Sequence, residues 1–286
     1  MQRITSMAAS EDLKKLVNQM PSPDGRGMFC TDIDKAKIEQ AIAAIHLGGK
    51  DNVLGLIDLL AEPGQPADVK PHYALHCLGN HLLQIKDEAA RREFSQTLAS
   101  EIGGSRPKAI QAYLCQELQS FGHGEATSAL GQVLCDDDLS APACMALVAI
   151  REGVAPPLRA ALPQAKGQCK LNIVQALGQI GDRESIPALG ALVADEDREV
   201  RLAAAWGLAR MGDPGSVDKL IQAAGVAPGW ERIQATKHCL VLAEKLAAAG
   251  QKAPAVKIYA HLRDTRSDPQ EKYVRDAAEK GLAAVK

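Results

Sequence analysis

Asp197-Arg-Glu-Val-Arg201-Leu-Ala-Ala-Ala-Trp206-Gly-Leu208-Ala-Arg-Met-Gly-Asp213 is the stretch on which the reading of this chain turns. Val200, Ala204, Leu208 and Met211 recur at helical spacing and stripe one face. Gly212 follows as a natural left-handed C-cap. Upstream, Ala176-Leu177-Gly178-Gln179-Ile180 with Gly181-Asp182 repeats the pattern at a step of 31, and Ala146-Leu147-Val148-Ala149-Ile150 repeats it at a further step of 30. Ile186 aligns with Val217, Leu189 with Leu220 and Pro157 with Pro187. Leu118 and Leu78 take the leucine slot further upstream, and Leu240 takes it downstream at a step of 32. Periods in this range mark repeat architectures.

Each repeat holds a second apolar run, such as Ile186-Pro-Ala-Leu189-Gly-Ala-Leu192-Val193, with Ser185 placed to cap it and Pro187 in its first turn. Neither helix buries its stripe alone; stacked helix pairs bury both. The register predicts seven pairs, over 51–85, 87–121, 124–150, 155–181, 184–212, 215–248 and 251–285, headed by a capping helix at 32–47 that ends at Gly48-Gly49. Residues 1–30 read as a short helix near Glu11–Met20 and a turn-rich linker from Pro21 to Gly27. The expected organisation is that N-terminal segment, a solenoid over 31–250, and a C-terminal capping pair over 251–286. The fold class is all-α.

Composition agrees. The 286 residues are 46% hydrophobic but only 3% aromatic, so Ala, Leu, Ile and Val build the core and an all-β sandwich or barrel is disfavoured. A formal net charge of −2 supplies no basic field for nucleic acid or anionic lipid. There is no apolar run of 18 residues and no continuous hydrophobic leader near Met1. Seven cysteines stand singly, none in a C-x-x-C, which fits free thiols in a reducing cytoplasm.

Asp197 to Asp213 resembles the second helix of a HEAT-like repeat, and the short period is similar to the HEAT-like repeats of phycobilisome lyases. The resemblance runs most clearly over 138–224. Leu242 to Gly250 and Ala253 to Leu262 resemble a tetratricopeptide-type pair in spacing. The family implies a right-handed superhelical scaffold whose second helices line a concave protein-binding face, and it implies no single activity. In such repeats Arg201, Asp182 and Asp213 resemble a ladder tying one turn to the next.

The second-helix positions equivalent to Leu202, Trp206 and Arg210 share one outward face, being four apart. They give a lining of Leu202, Trp206, Arg210, Gln175, Gln179, His238 and His76, neither basic nor acidic, which suits a protein segment. The expectation is a monomeric, non-catalytic scaffold for an unidentified protein partner, without nucleic acid, membrane, cofactor or metal. The alternatives are an accessory subunit or chaperone of a bilin lyase-like system, or a HEAT-like DNA-binding protein.

His72 and His76, at i and i+4, lack an evident third ligand or an H-E-x-x-H. No histidine precedes a glutamate, which removes the His-Glu pairs of diiron hydroxylases built on HEAT-like repeats. His76-Cys77 and His238-Cys239 are adjacent on helices and diverge by about 100°, so neither makes a Cys-His nucleophile. Cys77 and Cys239 read instead as occupants of the small packing slot that holds Ala146, Ala176 and Gly207. Gly122-His-Gly124 and Gly212-Asp-Pro-Gly215 are turns, not phosphate loops. If this register is right, truncating Leu177 or Leu208 to Ala lowers unfolding free energy by about 2–5 kcal/mol. A loss below about 0.5 kcal/mol in urea titration, well under the usual range for a buried leucine, contradicts it.

Overall fold

The computed structural model describes residues 9–22 and 33–285, and all regular structure among them is helical. In chain order the helices are α1 (Glu11–Val17), α2 (Lys35–Leu47), α3 (Gly49–Leu59), α4 (Val69–Ile85), α5 (Glu88–Ser100), α6 (Lys108–Phe121), α7 (Thr127–Gln132) and α8 (Ser140–Ile150). They continue as α9 (Ala155–Ala161), α10 (Gly167–Ile180), α11 (Ile186–Leu192), α12 (Arg198–Met211), α13 (Val217–Ala223), α14 (Trp230–Ala248), α15 (Lys252–Thr265) and α16 (Lys272–Ala284). Cys30 and residues 23–27 of the expected linker lie outside the described residues. The chain divides into two compact units, Met1–Pro157 and Leu158–Lys286.

In the first unit, helices pair as α1/α2, α3/α4, α5/α6 and α7/α8. The pairs stack as two rows: α2, α4, α6 and α8 pack successively on one side, and α1, α3, α5 and α7 on the other. The α2 helix, expected to head the stack, has α1 packed on it. In the second unit α10, α12, α14 and α16 form the corresponding row, with α11/α12, α13/α14 and α15/α16 as pairs. This is all-α solenoid packing within each unit.

The leucine slot is where the stack is driest. Leu118, Leu147, Leu177 and Leu208 are fully buried and Leu78 nearly so, each removing apolar area worth about 1.5–3 kcal/mol. Downstream, the slot belongs to Cys239, also fully buried, at a step of 31 from Leu208. The expected step of 32 to Leu240 is corrected: Leu240 is only half-buried, at the edge of the core.

Helix ends follow their local chemistry. Gly181 and Gly212 close α10 and α12 with φ of 70° and 65°, the left-handed C-cap the sequence anticipates. Arg151 performs the same closure after α8 at φ 65°, a conformation disfavoured for a residue with a Cβ. Ser185 does not cap α11; it ends a 3₁₀ turn, and its hydroxyl donates to the Asp182 carbonyl at 2.7 Å.

Polar ties run between successive pairs of the second unit. Lys170 on α10 meets Asp195 before α12 at 2.8 Å, Arg201 on α12 meets Glu231 on α14 at 2.7 Å, and Arg232 on α14 meets Glu271 before α16 at 2.8 Å. Arg159 on α9 meets Asp182 at 2.6 Å. Arg201 and Asp182 are thus rungs. Asp213 is not: it accepts from the Ser216 hydroxyl within its own turn, at 2.9 Å.

In the second unit two helices meet backbone to backbone at a pair of glycines. A methyl group at Gly178 would lie 2.9 Å from the Gly207 Cα and 2.9 Å from Trp206 Cζ3. Hydrogen at this position is what allows α10 and α12 to approach so closely. Gly178→Ala therefore overpacks the pair and should destabilise the protein by about 1–3 kcal/mol. A neutral or stabilising effect in thermal or urea unfolding contradicts this packing.

Candidate functional site

The outward slots of the second-helix rows place most of the expected lining where the sequence puts it. In the first unit His76, Gln116 and Met145 are exposed on α4, α6 and α8. In the second, Gln175 and Gln179 are exposed on α10, and Trp206 is half-buried on α12. The Trp206 indole lies over Gly178 of the preceding second helix, and the Arg210 guanidinium sits 4.9 Å above the ring centroid. That is cation–π distance. Trp206 and Arg210 therefore form a local cluster, an aromatic ring over a glycine with a charge above it, while Gln175 and Gln179 are exposed neutral amides on the neighbouring α10.

Two expected members are elsewhere. Leu202 is buried in the core, beside a cavity of about 160 Å³ that Arg201, Ala205, Glu231 and Ala235 also line. His238 is buried with 8% exposure, because the register of α14 runs one residue earlier than the sequence reading. At a step of 31, His238 falls in the small slot of Gly207, and the residue equivalent to Trp206 is Lys237, which is exposed. Holding the step at 31 would have found Lys237.

In the first unit, buried carboxylates anchor two of the three histidines of α4, His72 and His76. His72 Nδ1 lies 2.7 Å from Asp68 Oδ2, and the ring stacks on Tyr113 of α6 at 3.6 Å between centroids. The Tyr113 hydroxyl donates to the His72 carbonyl at 3.0 Å. His76 Nδ1 lies 3.1 Å from Glu117 Oε1. Glu117 occupies the small slot of α6 and is almost wholly buried; burial raises its carboxyl pKa, against the pull of His76, Tyr113 and His72. The sequence showed the histidine spacing but not these carboxylates, which come from a preceding turn and a neighbouring helix.

Neither cysteine of the His-Cys pairs is an activated thiol. Cys239 is enclosed, its Sγ donates to the Leu220 carbonyl at 3.2 Å, and burial pushes its pKa up to about 12. Cys77 is half-buried, and burial also raises its pKa. With Ile38 and Ile42 of α2 and Tyr73, Asn80 and His81 of α4 it lines a pocket of about 250 Å³. This pocket exists only because α2 packs on α4, so no single-helix pattern signals it. Among the described residues no group of three or more His, Cys, Asp or Glu converges as a metal site, and no helix is long and apolar enough to cross a membrane.

Residues 155–240 match the family model of HEAT repeats. Compared by sequence with curated proteins, the chain has no match. Among solved structures, it is similar to an engineered protein at 17% identity, covering 96% of this chain and 78% of that one, with a TM-score of 0.46. It is also similar to the complex of CpcE and CpcF of phycocyanin lyase from Nostoc sp. PCC7120, at 19% identity over 80% of this chain and 94% of that one, TM-score 0.41. A designed armadillo repeat protein aligns at 18% identity over 96% of this chain and all of the other, TM-score 0.31.

The buried His238 makes a pH prediction. Desolvation holds its pKa at about 4, with a smaller push from Lys237, against about 6.5 for a free imidazole. The unfolded chain binds the extra proton between those values, so the contribution is complete above about pH 6.5 and is lost as pH falls towards 4. The unfolding free energy of wild type relative to His238→Asn should fall by roughly 2–3 kcal/mol between pH 7 and pH 4.5. Parallel pH profiles for the two proteins contradict this placement.

Proposed function

We propose that this chain, whose residues 155–240 are HEAT repeats, is a non-catalytic scaffold that holds a segment of a protein partner against the outer face of its second helices. The observation that carries this reading is Trp206. The core of α12 is already filled by Val200, Ala204 and Leu208, all fully buried. An indole is not required at a slot where α10 has Gln175 and α14 has Lys237. Trp and Arg are the residue types most enriched at binding hot spots, and here they are stacked and held in place before any partner arrives. Gln175 and Gln179 add exposed hydrogen-bonding groups without strong charge, suited to a polypeptide backbone.

The titratable groups of the two units, each taken by itself, support a non-catalytic role. His76 is tied to Glu117 and His72 to Asp68, while Cys239 is sealed in the core as a thiol. In this reading the partner is a protein segment that brings an apolar or aromatic side chain to the indole and accepts from Arg210.

The experiment begins with a partner recovered by affinity capture and then purified. Trp206→Ala should weaken its binding by roughly 2 kcal/mol or more, with a smaller effect on the melting temperature than Leu208→Ala. If Trp206→Ala melts the protein as severely as the core truncation and leaves affinity intact, the indole is a packing residue and the reading fails.

A further inference from the structure

His46 and His81 meet in the first unit, on helices other than those that carry the partner-binding reading. His46 is in the last turn of α2, and His81 lies one turn before the end of α4, the helix packed beside it. Their ring centroids are 5.4 Å apart at an interplanar angle of 66°. Both side chains are half-buried, and neither makes a hydrogen bond or ion pair with another described residue. His72 and His76 differ in this respect, since carboxylates hold both of their rings.

The separation has a chemical meaning. Zinc-to-imidazole bonds are about 2.0–2.1 Å, which puts each ring centroid about 3.2 Å from the ion; two rings at the tetrahedral angle then have centroids about 5.2 Å apart. The observed 5.4 Å matches that spacing with both rings in place. His46 also lies in the last turn of α2, where the helix dipole favours a cation. We propose that His46 and His81 together form an open site for a divalent transition-metal ion of the zinc, nickel or copper(II) class, whose preference for imidazole nitrogen is general.

Among the described residues no third His, Cys, Asp or Glu joins the pair, which leaves coordination positions for water. A bound ion would clip α2 to α4, two neighbouring members of the second-helix row.

The test uses the full-length protein and Cu²⁺ as the probe. Electron paramagnetic resonance of the one-equivalent complex should show two imidazole nitrogens on the copper. Calorimetric titration should show at least a tenfold loss of affinity in His46→Gln and in His81→Gln, and no change in His261→Gln. Zinc should raise the melting temperature of wild type and of His261→Gln, but of neither of the other two variants. A wild-type copper spectrum without two imidazole nitrogens overturns the proposal whatever the variants do, and so does either substitution leaving the affinity unchanged.

Discussion

Everything in the second unit depends on how closely α10 and α12 approach at Gly178 and Gly207. Helix axes converge only where the facing side chains are small. Here the obstacle is a single methyl group, which would sit 2.9 Å from the neighbouring backbone. Leu177 and Leu208 are fully buried in the same helix pair, and the Trp206 ring lies against Gly178 of the preceding helix. The same contact therefore fixes the packing and presents the aromatic plate on which the functional reading rests. Ion pairs such as Lys170–Asp195 and Arg201–Glu231 align successive pairs, but as partly exposed bridges they contribute modestly beside the buried leucines.

The small slot is also where the chain departs from its own rule. Four of its occupants are Cys77, Ala146, Ala176 and Gly207, while Glu117 and His238 fill it with titratable groups. Each departure is handled differently. Glu117 is buried, but its Oε1 meets the His76 ring that covers it. His238 is driven towards its neutral form and behaves as an aromatic filler. The two have opposite consequences on acidification, since a raised carboxyl pKa favours the fold at low pH and a lowered imidazole pKa opposes it.

The fold was legible because the repeat step and the helix stops are both written in residue types: Leu147, Leu177 and Leu208 at steps of 30 and 31, with Gly181 and Gly212 closing α10 and α12. The pairs from 51 to 285 fall where those signals put them. The register of α14 runs one residue earlier than the leucine pattern suggests, with Cys239 rather than Leu240 in the core slot. His238-Cys239-Leu240 repeats the letters of His76-Cys77-Leu78, and matching the letters outweighed the spacing. Packing follows the spacing: a cysteine is small and apolar enough to take a leucine slot, and Cys239 does so. Of the candidate face, exposure at His76, Gln175, Gln179 and Arg210 followed from helical geometry alone. The burial of Leu202, the Glu117–His76 pairing and the pocket between α2 and α4 depend on which helix lies beside which, and a single-helix projection carries no such information.

The central claim is that a polypeptide partner lies on the second-helix face around Trp206. Hydrogen–deuterium exchange of the protein with and without its purified partner tests it most directly. The account predicts added protection concentrated in α10 and α12, over Gly167–Ile180 and Arg198–Met211, with little change in α11 and α13 of the opposite row. Protection confined to α11, α13 or α15, with α10 and α12 unchanged, would contradict it.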